Sequence, residues 1–425
     1  MKARRIAVVA ALSLIWASGS GCGGSDPGVT PTVPAAATPT PASPTVDGRV
    51  VCLGPNSGIA LIVSPAIIDG IRAELTRFEL NLCREGHNVI ETARAYTSAP
   101  QLRAQLAGVY SMAGIRLEGV ILIGEHPLAY QWVTAPGSGG SPGPGQEVIS
   151  YQYYSDLNGV FGSSASYRSP GGRESSFDLR SGDLDWEIWT SVLPVYRGDR
   201  NLTIQAVNRY LVKNDAYRTG QGSIPRRYLE VSEYFKAKTV NEHQTYLIQM
   251  RDGQFSWKPF SSATDALLYF DSEVAPLSVD QGYAYLSEGV ADFTVAGAPG
   301  FWGAHGKLTT AWAESTPVRT VFFWSDAPAV GDLDQPRNFL TAVLYSATSH
   351  ALIARGTTNM SGGMGSNGNG YFGHNIATAL GQGAGFGNAI RQHVNSPLMR
   401  PWSESREYHF ASSVTLGDGT LKIRR

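Results

Sequence analysis

The sequence has little net charge, few cysteines and no long hydrophobic run. Its 34 basic and 35 acidic side chains leave a net charge of -1 at pH 7. Because nucleic-acid binding depends on a positive field that attracts phosphates, we expect no nucleic-acid partner. The eight histidines are scattered, and neither an HExxH motif nor cysteine pairs at zinc spacing occur, so we expect no zinc site.

The N terminus has the pattern of a bacterial export signal. The apolar stretch from Ile6 to Trp16 follows basic residues and falls short of the roughly 20 residues that a membrane-spanning helix needs. Small residues then lead to Cys22, which fits a lipobox cysteine, although Gly19 replaces the usual leucine. We expect a lipoprotein held to a bacterial membrane by Cys22, in the periplasm or at the cell surface; plain cleavage and release is the alternative.

The rest of the chain divides by composition. After the signal, residues 1–22, residues 23–48 are dominated by Pro, Thr and Ala and predict a disordered stalk. The remainder suits a large folded region, because 42% of the residues are hydrophobic and only 16% are charged. A Gly-rich hinge at 220–223 divides it into two expected subdomains, 49–219 and 220–425.

The three cysteines leave one even pair. With Cys22 assigned to the lipobox, Cys52 and Cys83 remain in an oxidising compartment. We therefore predict a disulfide between them, with two buried, inert thiols as the alternative.

Short apolar runs alternate with helical patterns along the folded region. Ile59–Ser64 and Val120–Gly124 read as strands covered on both faces, and Pro65–Arg84 has the apolar spacing of a helix. This alternation predicts an α/β fold with mostly parallel sheets and ligand sites beyond the carboxyl ends of the strands. No sequence repeat relates the two halves. The Gly-, Pro- and Ser-rich segments Ala135–Gly145 and Ser163–Arg173 are expected to be exposed loops.

Four segments, in the same order, resemble the gingipain family of cysteine peptidases. The first is VILIG with the later YQYYSDLNGVFG and GDLDWEIWTSVLPV, and the second is DFTVAGAPGFWGAHGKLTTAW. The third is TVFFWSDAPAVGDLD with HALIARGTTN, and the fourth is LGDGTLKIRR at the C terminus. The resemblance spans residues 55–425 and implies a caspase-like α/β sandwich with two sub-sheets.

The resemblance also implies where catalytic groups would lie. The family's histidine matches His305, but its cysteine falls within Ser325–Pro328, and counting back from Gly331 places it at Pro328. A proline has neither a nucleophilic side chain nor an N–H group for an oxyanion. Ser325 with His305 as base would make a serine hydrolase. The surrounding pocket is expected to include Gly306, Asp326, Trp302 and Trp324.

Calcium occurs in some members of the family, and acidic residues stand in the matching segments here. The candidate ligands are Asp156, Asp183, Asp185 and Glu187. Asn158 and Val160 replace two of the family's acids, which favours solvated turn residues over a calcium site. We expect no required cofactor.

Together these features predict a peptidase homologue without its catalytic cysteine, which binds a peptide or protein ligand. Two alternatives stay open. One is an active endopeptidase that uses His305 and Ser325, and the other is a purely architectural surface lipoprotein.

Overall fold

The structure is a computed structural model that describes residues 48–54, 57–112, 114–136, 142–163, 176–183, 185–221, 228–232, 255–257, 280–287, 310–315, 318, 320–325, 330–358, 376, 379–396, 407 and 410–423. The chain from Pro44 to Arg425 clusters as one compact unit. Within the described ranges, no helix has both the length and the hydrophobicity that a membrane crossing requires.

Strands and helices alternate through the first half, as the periodicity predicts. The strands are β1 (Arg49–Cys52), β2 (Gly58–Val63), β3 (Asn88–Ala93), β4 (Leu117–Ile123), β5 (Tyr130–Pro136), β6 (Pro142–Ile149), β7 (Val160–Ser163), β8 (Ser176–Ser181) and β9 (Trp189–Leu193). The helices are α1 (Ile68–Arg84), α2 (Ala99–Tyr110), α3 (Gln152–Ser155) and α4 (Arg200–Thr219). β2 is buried at all of its positions, which explains its unbroken apolar sequence.

The second half contains further strands and shorter described helices. The strands are β10 (Tyr228–Ser232), β11 (Phe255–Trp257), β12 (Asp280–Ser287), β13 (Thr320–Ser325), β14 (Ile353–Thr357) and β15 (Ser413–Gly417). The helices are α5 (Thr310–Ser315), α6 (Phe339–Tyr345) and α7 (Phe386–Val394). The expected strand at Val290–Ala296 lies outside the described residues.

One large sheet joins both halves. Its eleven strands run in the order β1-β3-β2-β4-β9-β15-β14-β13-β12-β10-β11, and most neighbours are parallel. A second, four-stranded sheet has the order β6-β5-β8-β7, with two antiparallel pairs and one parallel pair. The predicted α/β class with mostly parallel strands is confirmed, although the strands of the two halves form one continuous sheet.

The two halves repeat one topology that their sequences do not reveal. In space the first half runs β3-β2-β4-β9 and the second runs β11-β10-β12-β13, so each follows the order second, first, third, fourth. All pairs within each set are parallel. Topology is repeated without a sequence repeat because many apolar sequences can fill equivalent buried strands.

The pairing of β15 fixes the relative direction of the strands in the two halves. It runs parallel to β9 but antiparallel to β14. The strands of the second half therefore run opposite to those of the first half. Their carboxyl ends consequently point to opposite edges of the sheet, which separates the two places where an open α/β sheet binds ligands.

The expectation that Ala135–Gly145 is a loop throughout is wrong. β5 extends to Pro136, and β6 begins at Pro142, so strand pairs occupy much of this Gly- and Pro-rich segment. Proline and glycine are tolerated here because β6 is an edge strand of the small sheet, where a missing N–H donor can face outward. The edge strand β1 was also not predicted.

Candidate functional site

Most residues of the expected catalytic pocket lie outside the described residues. These are His305, Gly306, Asp326, Trp302 and the cysteine-equivalent Pro328, and the same holds for the expected lipidation residue Cys22. Ser325 is described as the last residue of β13, in register with Leu286 of β12. The structure thus places Ser325 at the carboxyl end of a strand that lies between two parallel neighbours.

Trp324 is the expected pocket residue whose side chain the structure describes. It is 2% exposed, and the guanidinium of Arg355 lies 5.3 Å from the centre of its ring. β13 is an interior strand, so an indole on either face is covered by the core. Trp324 therefore packs inside the protein, and its place in the expected pocket stays a prediction.

The predicted disulfide is present in the structure. Cys52 on β1 and Cys83 near the end of α1 are bonded, with their Cα atoms 6.1 Å apart. Since the sequence contains three cysteines and the third is Cys22, no free thiol remains in the chain from residue 48 onward. The thiolate that a cysteine peptidase requires is therefore lacking in the folded region.

The acidic residues in the expected calcium segments mainly order their own loop. Glu187 Oε2 accepts hydrogen bonds from the backbone N–H groups of Leu157, at 2.6 Å, and Asn158, at 3.2 Å. Asp156 Oδ1 accepts from the N–H of Gly159 at 2.6 Å. Arg103 donates to the carbonyl oxygens of Asp156 and Gly159, both at 2.8 Å. These bonds fix the turn between α3 and β7.

Asp156 in this loop is a buried carboxyl group with a raised pKa, but the described residues do not provide enough ligands for calcium. The pKa of Asp156 is raised to about 7: burial is the largest cause, the nearby charges of Glu187 and Asp183 add to it, and the hydrogen bond from the Gly159 N–H opposes it. Asp156 Oδ2 is buried without a hydrogen-bond partner. Yet among the described residues no three His, Cys, Asp or Glu side chains come together as metal ligands. By themselves the described residues do not supply a full set of calcium ligands, and the preference for solvated turn residues over a calcium site stays a prediction.

A large cleft lies at the carboxyl ends of β2, β4 and β9, in the first half. Its volume is about 820 Å³. Ser64 follows β2, Gly124 and His126 follow β4, and the segment from Pro194 follows β9. Gly124 has a left-handed φ of 87°, and a Cβ there would lie 2.7 Å from Ile67 Cδ1 and 2.8 Å from Ser64 Cβ. Only glycine permits this tight turn from β4 into the cleft.

His126 is held in one neutral form at the cleft wall. Its Nδ1 lies 3.1 Å from the carbonyl oxygen of Gly124, which can only accept, so Nδ1 carries the proton. Its Nε2 then accepts a hydrogen bond from the Tyr151 hydroxyl at 2.8 Å. Burial lowers the pKa of His126 to about 4. Both ring nitrogens are occupied, so His126 is a wall residue and not a ready proton acceptor.

Two arginines give the cleft a positive side. Asp334 Oδ1 accepts a hydrogen bond from the Tyr130 hydroxyl at 2.7 Å and lies 3.4 Å from a guanidinium nitrogen of Arg197. Arg200 Nε donates to the carbonyl oxygen of Ala66. Among the described residues, no carboxylate lies within ion-pair distance of Arg200. Its charge therefore faces the cleft without a protein counter-ion in this part of the chain.

The sequence analysis did not identify this cleft, although a signal was present. The segments GEHP and PVYRGDR directly follow predicted strands, and ligand sites of open α/β sheets lie at such strand ends. The family resemblance places the expected catalytic groups in the second half, so it gives no indication of this cleft.

A comparison with solved structures identifies the architecture. The protein is similar to the crystal structure of the Arg-specific cysteine proteinase gingipain R (RGPB), with a TM-score of 0.58. The match covers 87% of this chain and 78% of that chain, at 12% sequence identity. This chain has a gingipain-like fold. At such low identity the similarity shows only that distant, caspase-like relation. No protein-family model matches the sequence, and no curated protein does so either.

Proposed function

We propose that the protein is a non-catalytic, peptidase-like binding module for a peptide or protein ligand. One observation carries this proposal: the two cysteines of the folded region are bonded to each other, which leaves no thiol for the nucleophile position that the resemblance assigns to Pro328. The bonded pair lies on α1 and on the edge strand β1, which six strands separate from β13 in the large sheet, so neither sulfur is placed to take over that role. A cleft of a peptidase-like fold can still bind a peptide after its nucleophile is lost.

The test is cleavage and retention of an unbiased peptide library by the full chain, purified in detergent. We expect mass spectrometry to find no cleaved peptide and a subset of peptides to be retained. Matched reactions contain the His305→Ala and Ser325→Ala variants, each checked for folding by circular dichroism. A further variant, Pro328→Cys, returns both a thiol and a backbone N–H to the nucleophile position.

Each of the other outcomes has its own interpretation. Cleavage by the natural chain that disappears in both alanine variants would establish a serine hydrolase that uses His305 and Ser325. Absence of both cleavage and retained peptides would favour an architectural lipoprotein. Cleavage by Pro328→Cys alone, blocked by iodoacetamide, would support the loss of a nucleophile from an otherwise intact cleft.

We also propose that Cys22 carries a lipid that anchors the protein to a bacterial membrane, in the periplasm or at the cell surface. The support is the small-residue segment that ends at Cys22 and the Pro-rich stalk that follows it. When the chain is expressed in a bacterium and partitioned in Triton X-114, we expect it in the detergent phase. Cys22→Ser should move it to the aqueous phase, because acyl chains supply most of the membrane affinity. Recovery of the unchanged chain in the aqueous phase would refute the anchor.

A further inference from the structure

We propose that the first half has its own ligand site, the cleft at the ends of β2, β4 and β9, and that it binds an organic carboxylate with an apolar body. This inference goes beyond the proposed function. The cleft lies at the carboxyl edge of the first-half strands, whereas Ser325 ends a strand that runs in the opposite direction. The two strand ends therefore lie at opposite edges of the sheet, although Leu333, from the segment that follows β13, also lines the cleft.

The position and size of the cleft suit a small molecule. Parallel sheets bind ligands beyond the carboxyl ends of their strands, because there the loops can diverge and leave a crevice. A volume of about 820 Å³ falls within the range typical of small-molecule sites. The two halves share one strand order, so this crevice is formed in the first half by the same arrangement of four strands as in the second.

The charge for a carboxylate comes mainly from Arg200. Its Nε is used by the Ala66 carbonyl, which fixes the guanidinium at the start of α4. Arg197 is already shared with Asp334. Of the two acids that line the cleft, Asp199 caps α4 by accepting from the N–H of Leu202 at 2.8 Å, and Glu125 is exposed to solvent, as Arg200 itself is. Arg200 is thus the guanidinium best placed for a bidentate carboxylate.

Two long helices strengthen the positive field at the same place. α1 and α2 begin at the cleft, and the side chains of their N-cap residues, Ile67 and Ser98, accept no capping hydrogen bond. The free N–H groups of these first turns add partial positive charge, although the N–H of Gly70 donates to the Ile67 carbonyl, Asp69 places a carboxylate in the first turn of α1, and Pro100 of α2 has no N–H.

The other residues that line the cleft indicate what the part of the ligand beyond its carboxylate is like. Ile67, Leu128 and Leu333 line the cleft and offer apolar surface beside the cationic side. His126 is neutral and hydrogen-bonded through both ring nitrogens. It therefore places no charge beside the apolar part of the ligand and does not act as a base. The arrangement suits binding without a chemical step.

The experiment compares two probes that differ only in charge. Isothermal titration calorimetry on the full chain in detergent measures N-acetyl-leucine against N-acetyl-leucinamide. We expect the acid to bind about tenfold more tightly or better, because a charge-assisted hydrogen bond is lost in the amide. Arg200→Gln should weaken the acid by about the same factor and leave the amide unchanged, while Arg200→Lys should retain part of the preference.

Controls separate the site from general effects. Arg77→Gln removes an exposed arginine of α1 that pairs with Glu74, and it should not change the affinity for the acid. Circular dichroism establishes that each variant is folded. Equal affinity for acid and amide, or full affinity in Arg200→Gln, would overturn the proposal. Inorganic phosphate that binds as tightly as N-acetyl-leucine would overturn the requirement for an apolar body.

A third probe distinguishes the source of the carboxylate. A short peptide that ends in leucine and binds more tightly than N-acetyl-leucine would assign the cleft to peptide C termini, and equal or weaker binding would assign it to free acids. Either result supports the site. Library cleavage that depends on Ser325 would overturn the proposed function alone, because it involves the other edge of the sheet.

Discussion

Asp418→Asn is expected to lower the free energy of unfolding by about 3 kcal/mol, because it removes one partner of a buried ion pair. Asp418 is fully buried directly after β15, and Arg218 of α4 donates to its Oδ2. Asn214 donates to the same oxygen at 2.9 Å, and Thr420 donates to Oδ1 through its hydroxyl at 2.6 Å. The variant leaves the buried Arg218 with Glu85 as its remaining acidic partner.

The same residue predicts a pH dependence. Burial by itself would raise the pKa of Asp418, but the charge of Arg218 and the donated hydrogen bonds outweigh it and hold the pKa below the ordinary 3.8. A lowered folded-state pKa stabilises the protein above the unfolded value, and this contribution is lost as the pH falls through the folded value. The difference between the natural chain and Asp418→Asn should therefore be full above pH 4 and shrink below it.

Urea unfolding followed by circular dichroism, repeated from pH 7 down to pH 3, measures both effects. Glu74→Gln is the matched control, since it makes the same carboxylate-to-amide change in the exposed pair with Arg77. We expect it to change stability by less than about 1 kcal/mol. Equal urea midpoints for Asp418→Asn and Glu74→Gln at pH 7 would contradict a structural role for the buried pair.

Loss of the disulfide should cost between about 3 and 4 kcal/mol, because the bond closes a loop of intermediate length in the unfolded chain. Cys52 and Cys83 are separated by 31 residues. The bond also fastens β1, an edge strand that pairs with β3 alone, to α1. Arg49 of β1 also donates to Glu79 of α1 and Glu91 of β3, but an edge strand has a ladder on one side only, so its own opening should be affected most.

The double variant Cys52→Ser, Cys83→Ser isolates this contribution. Its thermal midpoint should lie below that of the natural chain, and amide hydrogen exchange should accelerate in β1 more than in β2. A reductant should lower the midpoint of the natural chain and leave the double variant unchanged. A natural chain that is insensitive to reductant and labels with two thiols would show that the pair is not bonded in solution.

The predictions from sequence were confirmed where burial leaves a local pattern of apolar residues in the sequence. β2 and β4 were visible as short apolar runs because both faces of these strands are covered. α1 was visible because its buried residues recur at helical spacing, and Gly86 follows with a left-handed φ of 86°. The cysteine pairing followed from an even count and an oxidising compartment, without any knowledge of distance.

The sequence is least informative where a neighbour distant in sequence decides. Trp324 has an aromatic side chain of the kind that could line a groove, and only the tertiary structure shows that it is buried on an interior strand of a mostly parallel sheet. Trp189 packs against Gly119, Gly387 and Gly419, where an added Cβ would lie 2.0, 2.3 and 2.6 Å from the indole. In the sequence these glycines resemble ordinary turn residues, because nothing local indicates which side chain fills the space.

The sequence by itself determined the α/β fold class and the pairing of Cys52 with Cys83, because periodicity and residue identity are properties of the chain. Only the tertiary structure decided that β15 joins the halves in opposite directions and that Arg200, His126 and the start of α1 meet at one cleft. Gly417 illustrates the reason: its φ of 107° and the Leu352 carbonyl, which would lie 2.0 Å from a Cβ, arise from pairing between segments far apart in sequence. Such long-range contacts leave no periodic signal in either segment, so they exist only once the chain has folded.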